Sequence, residues 1–254
     1  MSESGSYYIP HGSKWPIIAT IGVFTSMVGG SSLLNGSDIG KYILFAGLAI
    51  VIFMIVGWFS TVISESEEGL YDSQVDTSFR MGMIWFIFSE VMFFAALVSA
   101  FLVIKAGTVG GFTPPENVTL PVATTALNSV ILLMSGVALW MAGRQLSAEQ
   151  GQKRSLFWLN QSWILGAVFV GIQGREWMDL IRFGMTLKSD VFGACFYLLI
   201  GSHAIHAFCA VIVMAWCSWK WRRGTVSADS VTALQIFWFF IVAVWPILYG
   251  LIYF

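Results

Sequence analysis

Seven times along this 254-residue chain, a run of about twenty or more mostly apolar residues recurs, the length a helix needs to cross a bilayer's hydrocarbon core. The runs cover 15–34, 41–63, 78–105, 125–145, 155–177, 190–220 and 231–254. The third and sixth exceed the bilayer thickness, so they are expected to tilt or to project beyond it. Composition leaves no soluble alternative. Charged residues make up 11% of the chain, against about 25% in soluble domains, too few to coat a water-facing surface. Alternating ten-residue strands are absent, which excludes a β-barrel, and no internal repeat supports an inverted-repeat transporter. The expected fold is an all-α integral membrane protein of seven transmembrane helices.

The connections carry loop punctuation. Asn35-Gly36-Ser37-Asp38 reads as a tight turn. Segment 65–76 holds five of the 14 acids and is the most polar stretch. Segment 107–121 contains Gly110-Gly111 and Pro114-Pro115, so it is not helical throughout. Asn117-Val118-Thr119 matches a glycosylation sequon, a pattern common by chance. The first 14 residues show neither a cleaved signal nor a transit peptide. The net charge of −1 suggests no nucleic-acid partner. Cys195, Cys209 and Cys217 share one apolar stretch and read as small hydrophobes rather than a disulfide or metal framework. With the N-terminus inside, the inner side collects eight basic residues and the outer side five, which favours N-in and C-out. The 220–223 cluster contributes most to that bias.

Ionisable groups inside a bilayer are costly, so each is a candidate site. Glu90 stands near the middle of the third run with no charged residue within nine positions on either side. Desolvation penalises the ionised form of a carboxyl in such surroundings. It reads either as a proton-exchanging or headgroup-binding acid, or as a protonated carboxyl bonded to a neighbouring helix. His203 and His206, three apart, share one helical face. Metal or haem ligation is the sharper reading. The only other histidine, His11, lies in the N-terminal tail, so interhelical hydrogen bonding or a lipid phosphate contact is favoured. Gln173, Arg175 and Glu176 close the fifth run, with Gln173 and Glu176 on one face. Taken alone, they read as an interfacial cluster. Asn128, beside Ser129, is expected to bond between helices, and Gly82, Gly136, Gly166, Gly171 and Gly201 to mark close helix contacts.

These motifs fall into a recognisable order. Tyr7-Tyr8-Ile9-Pro10 and Ser13-Lys14-Trp15-Pro16 open the chain. Arg80-Met81-Gly82-Met83 leads into Phe86-Ile87-Phe88-Ser89-Glu90-Val91-Met92-Phe93-Phe94. Leu127-Asn128, Gln173-x-x-Glu176-Trp177 and Gly201-Ser202-His203-x-x-His206 follow. Over nearly its whole length the chain resembles cytochrome c oxidase subunit III of the haem–copper oxidases, the stretch around Glu90 being the most specific. It also departs from that pattern. Tyr71-Asp72-Ser73-Gln74 stands where a His-His-Thr-type segment is usual, and Phe239 and Val242 replace a histidine and an aspartate in the last helix.

The resemblance implies a non-catalytic core subunit of a cytochrome c oxidase that reduces oxygen to water with proton pumping. It implies one membrane domain over 1–254, with helices 1–2 (about 15–63) and helices 3–7 (about 78–254) flanking a V-shaped cleft for phospholipid. Haems and copper then belong to partner subunits I and II, and this chain holds no metal. Glu90 looks like the family's carbodiimide-reactive carboxyl, with Arg80, Asn128, Gln173, Glu176, His203 and His206 as polar intramembrane or lipid-contact residues. The departures suggest a bacterial inner membrane rather than a mitochondrial one. Two alternatives stay open: a similar accessory protein of a quinol oxidase or nitric oxide reductase, and a stand-alone transporter whose path Glu90 and the histidines would line.

Overall fold

The structure, a computed structural model, describes residues 12–70, 73–108, 111–115, 118–146, 151–223 and 228–254. Among these there are seven α-helices and no strand. They are α1 (Trp15–Leu34), α2 (Ile39–Glu67), α3 (Ser73–Gly107), α4 (Val122–Leu146), α5 (Gly151–Arg182), α6 (Val191–Trp221) and α7 (Ala228–Tyr253). All seven are long and apolar enough to span a bilayer. His11, Tyr71, Asp72, Asn117 and the segment before Gly12 lie outside the described residues.

Several helices outrun their apolar cores. α2 continues to Glu67 and α3 begins at Ser73, so most of the polar 65–76 stretch is helix. Charged side chains cost nothing once the helix has left the hydrocarbon, and each added residue gains a backbone hydrogen bond. α5 runs to Arg182, past the end expected at Trp177, because Leu180 still faces the protein interior. Gly184, at φ 94°, closes it: the Gly184 amide donates to Ile181 O and the Met185 amide to Leu180 O. Beyond Gly107, which still belongs to α3, the stretch to residue 121 is non-helical where described, as its glycines and prolines require.

The chain divides into two compact units, up to Phe79 and from Arg80 onward. In the first, α1 starts on Trp15-Pro16, proline's fixed φ suiting a first turn. It ends at Asn35, and Gly36 at φ 83° turns the chain back into α2. The two helices interlock through glycines. A Cβ on Gly29 would lie 2.2 Å from Leu44 N, one on Gly40 2.4 Å from Leu33 N, and one on Gly47 2.4 Å from Ser26 N. The Trp15 ring rests on Gly57, and its indole donates to Thr61 Oγ1 at 3.2 Å. Phe24, Phe45 and Phe53 point outward, more than half exposed, as lipid solvent permits.

The second unit builds its core from α4 to α7, with Leu132, Phe169, Phe196, Trp238 and Trp245 fully enclosed. The pairs Ala142–Ser155 and Phe169–Asn128 make α4 and α5 antiparallel. Asn160–Ser218 and Gly166–Val211 do the same for α5 and α6. Trp238 donates to Ser135 Oγ at 2.8 Å and Trp245 to Ser129 Oγ at 2.7 Å, which fixes α7 antiparallel to α4. Gly136 lets Val242 close, and Gly166 admits Val211 and Trp238. Gly201 only meets the Trp177 ring at ordinary distance, and Gly82 and Gly171 have no neighbour within 4 Å. These last two do not mark helix contacts. α3 joins this unit through large side chains instead: Phe94 against Phe240, Phe86 against Phe237, and Phe101 against Phe112.

Candidate functional site

Glu90, on α3, and His206, on α6, meet at 2.9 Å between Oε2 and Nε2. Their side chains are 16% and 22% exposed. The rings of Phe93, Phe94 and Phe237 lie 6.2, 5.5 and 6.5 Å from the imidazole, centroid to centroid, and form its apolar wall. The other ring nitrogen, Nδ1, lies 2.6 Å from Ser202 O. A carbonyl only accepts, so Nδ1 carries a proton. In the neutral ring Nε2 is then a bare acceptor, and the Glu90 carboxyl must supply the hydrogen between them. If the ring is charged, the carboxylate accepts instead. Both forms hold one proton in the Glu90–His206 contact and have no net charge, which suits an apolar span.

His203 serves another neighbour. It is buried, and its Nε2 donates to Ile241 O at 3.0 Å while the ring lies 4.9 Å from that of Trp245. The two histidines thus occupy one side of α6 but turn to different helices, His206 to α3 and His203 to α7. No cluster of three or more His, Cys, Asp or Glu side chains gathers among the described residues.

Asn128 donates to Phe169 O at 3.1 Å. The extension of α5 puts Gln173 and Glu176 inside a helix rather than at its end, and both are buried. Glu176 Oε2 lies 3.3 Å from Gln173 Nε2 and 3.1 Å from Thr125 Oγ1. The Thr125 hydroxyl is also 2.9 Å from Pro121 O, and its single hydrogen serves one acceptor at a time. Their place among buried groups of α4 and α5 replaces the reading of an ordinary interfacial cluster. Arg80 is exposed and takes part in no ion pair among the described residues.

Sequence reasoning passed over Asn160. Its Oδ1 accepts from Ser218 Oγ at 2.6 Å, Trp163 Nε1 at 3.0 Å and Arg222 Nη2 at 3.4 Å, tying α5 to the end of α6. The signal that singled out Asn128, an amide inside an apolar run, applies equally to Asn160. Gln235 was passed over too. It donates to Leu139 O at 2.8 Å and fills the space that Gly143 leaves open.

A polytopic helical membrane protein with a carboxyl–imidazole pair in its spans is thereby defined. The sequence profile of the family described as cytochrome c oxidase subunit III matches residues 5–254, and the chain belongs to that family. It is 30% identical over 261 residues to "Cytochrome c oxidase subunit 3" of Arabidopsis thaliana, with 99% of this chain and 97% of that protein covered. The same identity and coverage hold for the Triticum aestivum protein of that name. "Probable cytochrome c oxidase subunit 3" of Rickettsia prowazekii is 27% identical, covering 100% of this chain and 96% of the relative.

Proposed function

We propose that this chain is the non-catalytic third core subunit of an aa3-type cytochrome c oxidase, a complex that reduces oxygen to water and pumps protons. In this reading it packs beside the haem- and copper-bearing subunits I and II, binds phospholipid, stabilises the catalytic subunit and supports its proton uptake. It holds no redox centre of its own. The chain sits in a bacterial cytoplasmic membrane with its N-terminus in the cytoplasm and its C-terminus in the periplasm.

The observation that carries the proton role is the Glu90–His206 pair. Its one proton can rest on either partner without changing the net charge, so the pair can pass a proton through an apolar region where a lone ionised group is costly. The experiment is Glu90→Gln in the assembled oxidase. Glutamine keeps the volume, and its N–H still donates to Nε2, but it exchanges no proton. Haem content and subunit stoichiometry should be unchanged, while proton uptake slows and the enzyme inactivates after fewer turnovers. Uptake and turnover lifetime equal to those of the unsubstituted oxidase would reduce the pair to a helix clamp.

A further inference from the structure

Thr125 in the first turn of α4 meets Gln173 and Glu176 of α5 in a buried polar cluster apart from the Glu90 pair. Three contacts converge on it. Gln173 Nε2 lies 3.3 Å from Glu176 Oε2, Thr125 Oγ1 lies 3.1 Å from the same oxygen, and Thr125 Oγ1 lies 2.9 Å from Pro121 O. Each contact needs a hydrogen of its own. The Gln173 amide supplies the first. The Thr125 hydroxyl has a single hydrogen, and the Pro121 carbonyl, which has none to give, takes it over the shorter distance. The contact between Thr125 and Glu176 is then left to a hydrogen on Glu176 itself. An ionised carboxyl would leave one of the three contacts as two oxygens facing each other with nothing between them.

The charges around the carboxyl agree with that count. Among the described residues no Lys, Arg or His nitrogen lies within 4.0 Å of it. Glu176 Oε1 is sealed from solvent and accepts no hydrogen bond. On α5 itself, Arg175 is exposed and Asp179 contacts Arg182 at 3.4 Å. On α6, His203 is engaged with Ile241 O. From α7, Tyr253 faces the cluster, yet its hydroxyl donates to neither carboxyl oxygen. Ionised, Glu176 would have no counter-ion and one wholly bare oxygen, a costly state for a group inside a span. As a neutral acid it leaves bare only an uncharged acceptor.

We infer that Glu176 is a second proton-binding site of this subunit, a neutral carboxylic acid that donates from Oε2 to Thr125 Oγ1 while Thr125 donates to Pro121 O. The donors run one way, from Glu176 through Thr125 to the Pro121 carbonyl, and tie α5 to the first turn of α4. The site holds its proton at neutral pH, where a solvent-exposed glutamate is ionised. It also differs in kind from the Glu90 pair. There an imidazole shares the proton, and either partner can carry it. Glu176 has no base beside it, because an amide, an alcohol and a phenol do not take up a proton at neutral pH. The proton is therefore kept rather than passed on.

The test is infrared absorption at neutral pH of the chain in the complex with which it purifies, natural and with Glu176→Gln. Glu90 and every other carboxyl are common to both samples and cancel in the difference. The natural-minus-variant spectrum should show the C=O stretch of one protonated carboxyl per chain and no carboxylate stretches. Carboxylate stretches in place of that band overturn the site. If Glu176→Gln does not assemble, Thr125→Val against the natural complex decides. Valine keeps the outline of threonine but accepts no hydrogen bond, so the acid C=O band should move to higher frequency as its O–H loses its partner. A difference spectrum with no displaced acid C=O band overturns the site equally.

Discussion

Glu90 Oε2 lies 2.9 Å from His206 Nε2 while His206 Nδ1 is bound to Ser202 O at 2.6 Å. The backbone carbonyl fixes which ring nitrogen is protonated, and so makes the carboxyl the partner that must adapt. α3 gains its attachment to α6 from this bond and from Phe93 and Phe94 beside it, without any small-residue approach.

Replacing His206 by Leu removes the Glu90 carboxyl's one hydrogen-bond partner among the described residues. A buried polar group left unmatched costs about 1–3 kcal/mol, so the thermal midpoint of the solubilised complex should fall. Glu90→Gln alone should change it by about 1 kcal/mol or less, since one hydrogen bond replaces another. Glu90→Leu combined with His206→Leu should recover most of the loss of the single histidine change. Equal loss in the single and double variants would remove the bond from the account of how α3 is held.

A hydrophobic carbodiimide should label Glu90 in the native complex and not Glu176. Glu90 keeps side-chain exposure of 16%, whereas Glu176 lies among buried groups of α4 and α5. Peptide mapping by mass spectrometry reads this directly, and Glu176 as the labelled carboxyl would reverse the assignment.

Gly29 and Gly30 are adjacent in α1 but should respond oppositely to alanine. A Cβ at Gly29 would lie 2.2 Å from the backbone nitrogen of Leu44, whereas at Gly30 nothing lies within 4 Å. Backbone cannot rotate out of the way, so Gly29→Ala forces α1 and α2 apart at a cost of about 1–3 kcal/mol or more. Gly30→Ala should be neutral or gain up to about 1 kcal/mol from helix propensity. Protease sensitivity of the α1–α2 turn at 35–38 should rise in the first variant only.

Much of the architecture was legible because bilayer physics writes it into composition. Apolar runs set the number of spans, and Trp15-Pro16 and Asn35-Gly36 marked where α1 begins and ends. Helix ends were less legible, since α2, α3 and α5 extend into polar sequence that hydropathy treats as loop. Facing was least legible. A helix apolar on every side gives no period from which to read its inner face, so Gly29, Gly40 and Gly47 went unremarked while Gly82 and Gly171 were expected to pack. Polar residues showed themselves singly. Glu90 and His206 each stood out, but their pairing spans 116 positions and needs the fold.

Asn160 gathers three donors on one oxygen. Asn160→Leu keeps the branched outline of the side chain and deletes the acceptor, leaving the Ser218 hydroxyl, 2% exposed, without its 2.6 Å partner. The cost should be about 1–3 kcal/mol in thermal stability, and Ser218→Ala added to it should restore part of that.

The resemblance drawn from the sequence puts Phe239 and Val242 in the places of a histidine and an aspartate, and the surroundings of Val242 indicate what that polar pair would do here. Val242 packs on α4 over Gly136, its methyls 3.4 Å from where a Cβ on that glycine would lie. The indoles of Trp238 and Trp245 on either side are already matched by Ser135 and Ser129, so neither is free to solvate a new group. Val242→Asp alone would place an unmatched carboxyl against an apolar helix, at a cost of about 2.5–3.5 kcal/mol if charged near mid-bilayer. Phe239 is 36% exposed, so a histidine there has room. Three residues earlier on the same helix, it comes within reach of the aspartate and supplies a proton donor. Phe239→His/Val242→Asp should therefore lose less stability than Val242→Asp, with Phe239→His alone near neutral. Thermal melting of the complex carrying each variant measures the coupling. Additive losses would mean that α4 and α7 pack here in a way that does not admit the polar pair.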